Sequence, residues 1–255
     1  MKISGVIITR NEEKHIFEAV KNLFSVCDEV VVVDSGSTDK TEELAKKAGA
    51  KFVFNKWKGY VEQRNFCHSV VSNDWLLVLD ADERLSDKLV KEIKKLKQNG
   101  LDSEIKGFEF FRNLIFMGEK FKNNRFTCEK KIRLYHKDYG KWIGGRVHEN
   151  IKINGKVKRI KAFIDHYPYP TIDFAVEKLN NYAYLMAKDR FEKGKKIGLM
   201  GLNLKIFFTF LKKYILDLKF LKGMEGFILA KIETNYTFLK YAKLYELNKK
   251  GGKDE

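Results

Sequence analysis

The 255-residue chain is 44% hydrophobic and 13% aromatic and carries a formal charge of +16, so a sizeable core is available and disorder is confined to a short tail. Three scattered cysteines (Cys27, Cys67, Cys128) with no CxxC pair exclude a disulfide framework, argue against a zinc site and fit a reducing compartment. Residues 151–255 hold 22 Lys and Arg against 11 Asp and Glu, whereas residues 1–150 hold 28 against 23. That basic excess makes nucleic acid, anionic lipid and phosphorylated substrates candidate partners.

The opening MKISGVIITRNEE reads as a first strand (3–9), not a signal peptide. Helical periodicity follows over 12–26, a strand over 29–34, and a helix over 38–49 that ends at Gly49. A short strand over 51–54, a helix over 60–71 and a strand over 75–80 complete the series. Strands alternating with helices predict βαβ units in a parallel sheet, and the continuous apolar runs fit strands covered on both faces. Ligands on such sheets bind at the carboxyl ends of the strands. Those ends are Thr9-Arg10-Asn11-Glu12, Asp34-Ser35-Gly36-Ser37 and Asp80-Ala81-Asp82.

Beyond Leu85, residues 106–118 and 130–138 predict strands of a mixed or antiparallel continuation. Both prolines fall in DHYPYPT (165–171), a junction by composition. The expected organisation is a domain over 1–167 and a helical region over 168–255, helical from Ile172 to about Leu247 before a polar tail. Within it, residues 203–222 place Lys205, Thr209, Lys212, Lys213 and Asp217 on one side of a helical wheel. A broad apolar face covers the rest. No eighteen-residue window there is free of charge, so the segment is no transmembrane span. It suits either a membrane interface or packing on the sheet domain.

The chemistry centres on WLLVLDADERL (75–85). Asp80 and Asp82 flank Ala81, and carboxylates two apart past a strand end can reach one hard cation that accompanies phosphate. The competing reading is a polar turn whose Ser86 or Asp87 caps the following helix. Glu83 is the least committed of the three acids and stands where that helix could begin.

These blocks carry a resemblance. SGVIITRNEE, VVVDSGSTDKT and WLLVLDADE, in that order, resemble a family 2 glycosyltransferase with the GT-A fold, the last block matching its D-x-D. KGYVEQRNF (58–66) is similar to the helix before that strand, with Arg64-Asn65 matching a recurrent pair. IGGRVHENI (143–151) and the C-terminal FLKGMEGFILA resemble the bacterial subgroup that builds lipopolysaccharide inner core, the beta-glucosyltransferase type. The resemblance implies a Rossmann-like, mostly parallel sheet flanked by helices, a nucleotide-sugar donor (UDP-hexose), Mg²⁺ or Mn²⁺, and inversion at the anomeric carbon. It also implies a lipid-linked or lipopolysaccharide-core acceptor and a peripheral place on the cytoplasmic face of an anionic membrane.

On that reading Thr9, Asn11, Glu12 and Asp34 line the nucleotide pocket, Asp34 toward a uracil or ribose unless it caps the next helix, for which Thr38 already suffices. Asp82 holds the metal, Asp80 contacts sugar or ribose and supports it, and Arg64 contacts the donor. By resemblance Glu149 is the general base, and His148 orients it or contacts donor or metal. On a strand the two would point to opposite faces, so one of them faces the site. His166 is a further metal or phosphate ligand or a structural residue beside its turn. Two departures bear on the acceptor: HEN replaces the acid pair found in many members, and Lys222 and Met224 surround Gly223.

Three other readings compete. A sugar-1-phosphate nucleotidyltransferase would want a glycine-rich loop after the first strand, and ITRNEE has none. A phosphohydrolase would carry its D-x-D after the opening strand. A nucleic-acid-binding module would show a binding motif, and none is present.

Overall fold

The computed structural model describes residues 1–121, 129–144 and 149–251. Seven of its elements form the parallel part: β1 (Ile3–Thr9), α1 (Ile16–Phe24), β2 (Glu29–Asp34), α2 (Thr41–Lys47), β3 (Lys51–Phe54), α3 (Tyr60–Val70) and β4 (Trp75–Asp80). The four strands match the expected bounds. Helices α1 and α2 start later than expected, because residues before each are occupied in loop hydrogen bonds. Thr38 does not cap the second helix: its N-cap position is Lys40, and Asp39 Oδ1 in the preceding loop accepts from Thr41 N at 3.0 Å.

The next elements are β5 (Glu83–Leu85), α4 (Asp87–Asn99), β6 (Ile105–Phe116), β7 (Glu119–Phe121), β8 (Glu129–His136), β9 (Gly140–Gly144), β10 (Glu149–Ile153) and β11 (Lys156–Tyr169). Ser86 caps α4, accepting from Leu89 N at 3.4 Å. Glu83 does not begin that helix; it sits in a strand paired antiparallel with β11. The large sheet runs β3-β2-β1-β4-β8-β6-β11-β5, with β7 paired to the end of β6, and β9 and β10 form a separate ribbon. The β3-β2-β1-β4 segment is parallel and β8 is antiparallel to β4.

Register sets the working edge. Thr9 pairs with Asp34 and Ile8 with Asp80, so the polar strand ends come out level. Beneath them, Ile3, Ile7, Val32, Leu77 and Leu79 are wholly buried against Val20, Leu23 and Ala45 of the helices. The other sheet face closes over Val6, Val31, Val33 and Val78 with Cys67 of α3 and Trp142 of β9.

The chain divides into two compact units, one of Met1–Asn113 with Glu129–His166, the other of Leu114–Cys128 with Tyr167–Glu255. The second holds α5 (Ile172–Glu192), α6 (Leu199–Leu211) and α7 (Gly223–Lys249). The expected single helix over 203–222 is broken: α-helix ends at Leu211, a π turn covers Lys212–Leu216, Leu218 has φ 57°, and a 3₁₀ turn covers Lys219–Lys222. Among the described residues no helix is long and apolar enough to cross a membrane.

Two glycines in helices of the second unit respond differently to a side chain. A Cβ on Gly226 would lie 1.9 Å from the Lys219 carbonyl oxygen, a backbone atom that cannot swing away. On Gly201 the nearest atom is a methylene of Ile197 at an ordinary 3.6 Å. Gly201→Ala is therefore expected to stabilise by up to about 1 kcal/mol, the helix-propensity gain. Gly226→Ala should destabilise by about 1–3 kcal/mol or more, since overpacking outweighs propensity. Urea unfolding of the two variants checks the opposite signs.

Candidate active site

The loops after β1 and β2 are laced together. Asn11 takes a left-handed φ of 54°, which asparagine tolerates better than most residues. Its Oδ1 accepts from Thr38 N and its N–H donates to Ser37 Oγ, both at 2.8 Å. Glu12 N–H donates to Thr41 Oγ1 at 2.8 Å. Asp34 is turned onto its own loop: Oδ2 accepts from the N–H groups of Gly36 (2.7 Å) and Ser37 (2.8 Å), and Oδ1 from Ser37 Oγ. Thr9 Oγ1 is buried with no hydrogen-bond partner among the described residues. The structure thus brings Thr9, Asn11, Glu12 and Asp34 to one edge, with Asp34 occupied as a turn cap.

Asp80 and Asp82 have separate surroundings. Asp80 Oδ1 accepts from Arg64 Nη2 at 2.7 Å and Oδ2 from Arg133 Nη2 at 2.8 Å. Burial alone would raise its carboxyl, but the Arg64, Arg133 and Arg112 guanidiniums overcome that and hold it well below the ordinary range. Glu83, fully buried, closes the lattice. It accepts from Asp80 N (3.1 Å), Arg133 Nη2 (2.8 Å) and Arg112 Nη1 (3.0 Å). Arg112 also binds Glu129 through Nε at 2.9 Å. Asp82 instead lies 3.2 Å from Nε2 of His166, both side chains largely buried.

Helix α3 carries this lattice to the ribbon. Arg64 lies 4.5 Å over the Trp142 ring and its Nη2 is 3.4 Å from Glu149 Oε1. Asn65 clamps the Trp142 backbone, donating to its carbonyl and accepting from its N–H, each at 3.0 Å. The recurrent pair therefore has two tasks: Arg64 joins Asp80 to Glu149, and Asn65 fixes the strand preceding Glu149. Nε and Nη1 of Arg64 are buried and unpartnered among the described residues. A cavity of about 400 Å³ opens beside the lattice, lined among others by Asp80, Arg112, Lys131, Arg133, Trp142 and Glu149. His148 lies outside the described residues.

Sequence reasoning missed Arg112, Arg133 and Trp142, and took Glu83 for a helix start. The available signal was an arginine inside each of two apolar strands, FEFFRNLIF and KKIRLYH. A buried arginine needs a carboxylate, and the surplus acid of DADE supplies it.

Among the described residues no group of three His, Cys, Asp or Glu could hold a metal ion. One carboxylate and one imidazole nonetheless fit Mn²⁺, and Mg²⁺ or Mn²⁺ beside a diphosphate takes few protein ligands and keeps waters. Asp80 is poorly placed to add a third donor, since both its oxygens face guanidiniums.

With this geometry in place, comparison with known proteins gives the family. Residues 4–154 match the model of glycosyl transferase family 2. The chain belongs to that family and is a glycosyltransferase. It is 31% identical to the lipopolysaccharide core biosynthesis glycosyltransferase LpsC of Rhizobium meliloti, over 96% of this chain and 93% of that one. It is 34% identical to an uncharacterized glycosyltransferase of Rickettsia typhi, over 98% of this chain and 88% of the relative. Mycobacterium tuberculosis glucosyl-3-phosphoglycerate synthase, solved with Mn²⁺ and UDP, aligns over 44% of each chain at 25% identity with a TM-score of 0.37, too partial a likeness to carry an argument.

The lattice predicts two stability effects. Glu83→Gln leaves two buried guanidiniums short of charge and should cost about 3–5 kcal/mol in chemical denaturation, clearly more than Asp82→Asn. Because Asp80 is depressed in the folded state, the unfolded chain protonates first as pH falls through about 3.9. The stabilisation is complete above that value and is lost as pH falls toward the lower folded one. Asp80→Asn should flatten this acid limb of a stability-against-pH curve.

Proposed function

We propose that the enzyme transfers a hexose with inversion from UDP to a lipid-linked or lipopolysaccharide-core acceptor, at the cytoplasmic face of an anionic membrane. Residues 1–167 form the catalytic domain in this reading and residues 168–255 a helical region. The observation that carries it is the position of Arg64 between Asp80 and Glu149. One guanidinium ties the strand end expected to face the donor to the carboxylate expected to face the acceptor.

Thr9, Asn11 and Glu12 line the nucleotide pocket, and Asp34 holds the loop that closes it. Asp82 and His166 hold Mg²⁺ or Mn²⁺, which when bound neutralises charge developing on the departing diphosphate. The acceptor hydroxyl enters through the cavity beside Glu149, on the side opposite the leaving group. As its oxygen bonds to the anomeric carbon, Glu149 takes its proton and the bond from that carbon to the UDP oxygen breaks. Arg64 keeps Glu149 in place until then, and His148, by resemblance, orients it. The relationship to LpsC supports an acceptor in lipopolysaccharide core. Family membership removes the nucleotidyltransferase and phosphohydrolase readings.

Two measurements test this. UDP with Mn²⁺ at a hundred times its Kd should stabilise by about 2.7 kcal/mol, a rise in Tm of about 5–10 °C at this chain length. Chelator or Asp82→Asn should remove it, and the absence of any shift with nucleoside diphosphates would sink the donor assignment. Glu149→Gln should lower kcat about 10²–10⁴-fold while leaving that thermal shift intact. An unchanged kcat would place the base elsewhere.

A further inference from the structure

The second unit carries an apolar surface that its own packing does not use. Nine of the thirteen residues in α6, LMGLNLKIFFTFL, are apolar, yet none is buried. Its inner side meets α7 through Phe210, and the π turn after it through Tyr214, which pack with Phe227 at 6.2 and 5.7 Å between ring centres. The outer stripe is Met200, Leu204, Phe207, Phe208 and Leu211, with Phe207 61% and Phe208 58% exposed. The π turn and 3₁₀ turn after it continue the face, with Leu216 61% and Leu221 66% exposed. A helix apolar on nearly all sides is ordinarily buried, and a contiguous exposed patch of this kind marks an interaction surface.

The charges around it indicate the occupant. Between Glu192 and Asp217 the chain has six lysines and no carboxylate. Lys205 is turned to the Tyr241 ring, 5.2 Å away, and Lys213 toward Asp217 and Glu233. Lys195, Lys196 and Lys212 are exposed. The first two stand in the loop that leads into α6, and the third follows its last residue. At 1.5 Å per residue the helix is about 20 Å long, too short to span a bilayer of about 30 Å but suited to lie in its interface.

We propose that the outer face of α6 with the turns after it is a docking surface for an anionic lipid bilayer. Phe207, Phe208, Leu204 and Leu211 enter the headgroup boundary, and Lys195, Lys196 and Lys212 meet lipid phosphates at its ends. The proposal gives the membrane association suggested above a defined surface, and it does not depend on the donor or the base being assigned correctly. The break at Leu218 matters here: it turns the apolar Leu221 and Met224, both 66% exposed, away from a simple continuation of the helix while keeping them outside the core.

Full-length protein is mixed with vesicles of phosphatidylglycerol and phosphatidylethanolamine, or of phosphatidylcholine alone, and sedimented. Binding to the anionic vesicles should exceed that to the neutral ones by at least about ten-fold and fall at 1 M salt. Phe207→Ser with Phe208→Ser replaces side chains already in solvent, so circular dichroism should be unchanged while vesicle binding falls at least about ten-fold. Lys195→Gln, Lys196→Gln and Lys212→Gln together should weaken it about a hundred-fold, at about five-fold per lysine. Equal binding to neutral vesicles, or wild-type protein that stays in the supernatant, overturns the proposal. A dimer in light scattering that the phenylalanine variant disperses, without vesicle binding, assigns the face to a second copy instead. The thermal shift with UDP and Mn²⁺ is read in parallel. Docking variants should retain it, and Asp82→Asn should lose it while still binding vesicles, so the two proposals fail separately.

Discussion

A fully buried glutamate and the two arginines it holds organise the catalytic unit. Glu83 is wholly buried, and removing one partner from a buried ion pair leaves an uncompensated charge. Arg133 and Arg112 satisfy it from β8 and β6, and Arg133 passes the constraint on to Asp80. From Asp80 it runs through Arg64 to α3 and the start of β10. Four elements, β6, β8, β10 and α3, are thereby held to one strand end. Hydrophobic packing beneath them tolerates small shifts. A fixed set of bonds near 2.8 Å does not, which is why the polar lattice, more than the core, determines where the site residues stand.

One consequence is a separation of the two aspartates that a motif makes look equivalent. Asp80 faces two guanidiniums and is held ionised as part of the frame. Asp82, two residues on, has passed beyond the frame and meets an imidazole. Paired acids placed in unlike surroundings commonly divide their roles this way. In the proposed function the division leaves Asp82 to the metal, while Asp80 keeps the surrounding backbone in register.

The parallel half of the fold was legible because its signals are local. Apolar runs of four to seven residues end in Asp, Ser, Gly or Asn, and each run is followed by a helix long enough for a crossover. Thr9, Asn11 and Asp34 could be found at strand ends for the same reason. The antiparallel half was not legible to the same degree. Arg112 and Arg133 have partners about thirty and fifty residues away, and nothing near them in sequence names Glu83. Strand β11 opens as a basic stretch (KVKRIKAF, 156–163), and the pairing of its Ile164–His166 with Glu83–Leu85 brings His166 to Asp82, a meeting invisible from either segment alone. The break after Leu211 was hidden too, because the apolar pattern continues through it. Only the glycines at 223 and 226 mark the change, the second by the close approach of the Lys219 carbonyl.

The basic composition also resolves into two uses once the residues are placed. The chain has 41 lysines and only nine arginines. Three of those arginines, Arg64, Arg112 and Arg133, stand in the lattice around Asp80 and Glu83. A planar, weakly hydrated guanidinium can satisfy several carboxylate oxygens in a buried setting, whereas an ammonium is costly to dehydrate. Lysine is the commoner cation of the second unit, and Lys195, Lys196 and Lys212 stand exposed at the ends of α6. The excess of +16 is therefore divided between two settings. Three of its arginines are neutralised internally around Asp80 and Glu83, and Lys195, Lys196 and Lys212 are left outside, beside an apolar face that the described residues of its own unit leave exposed.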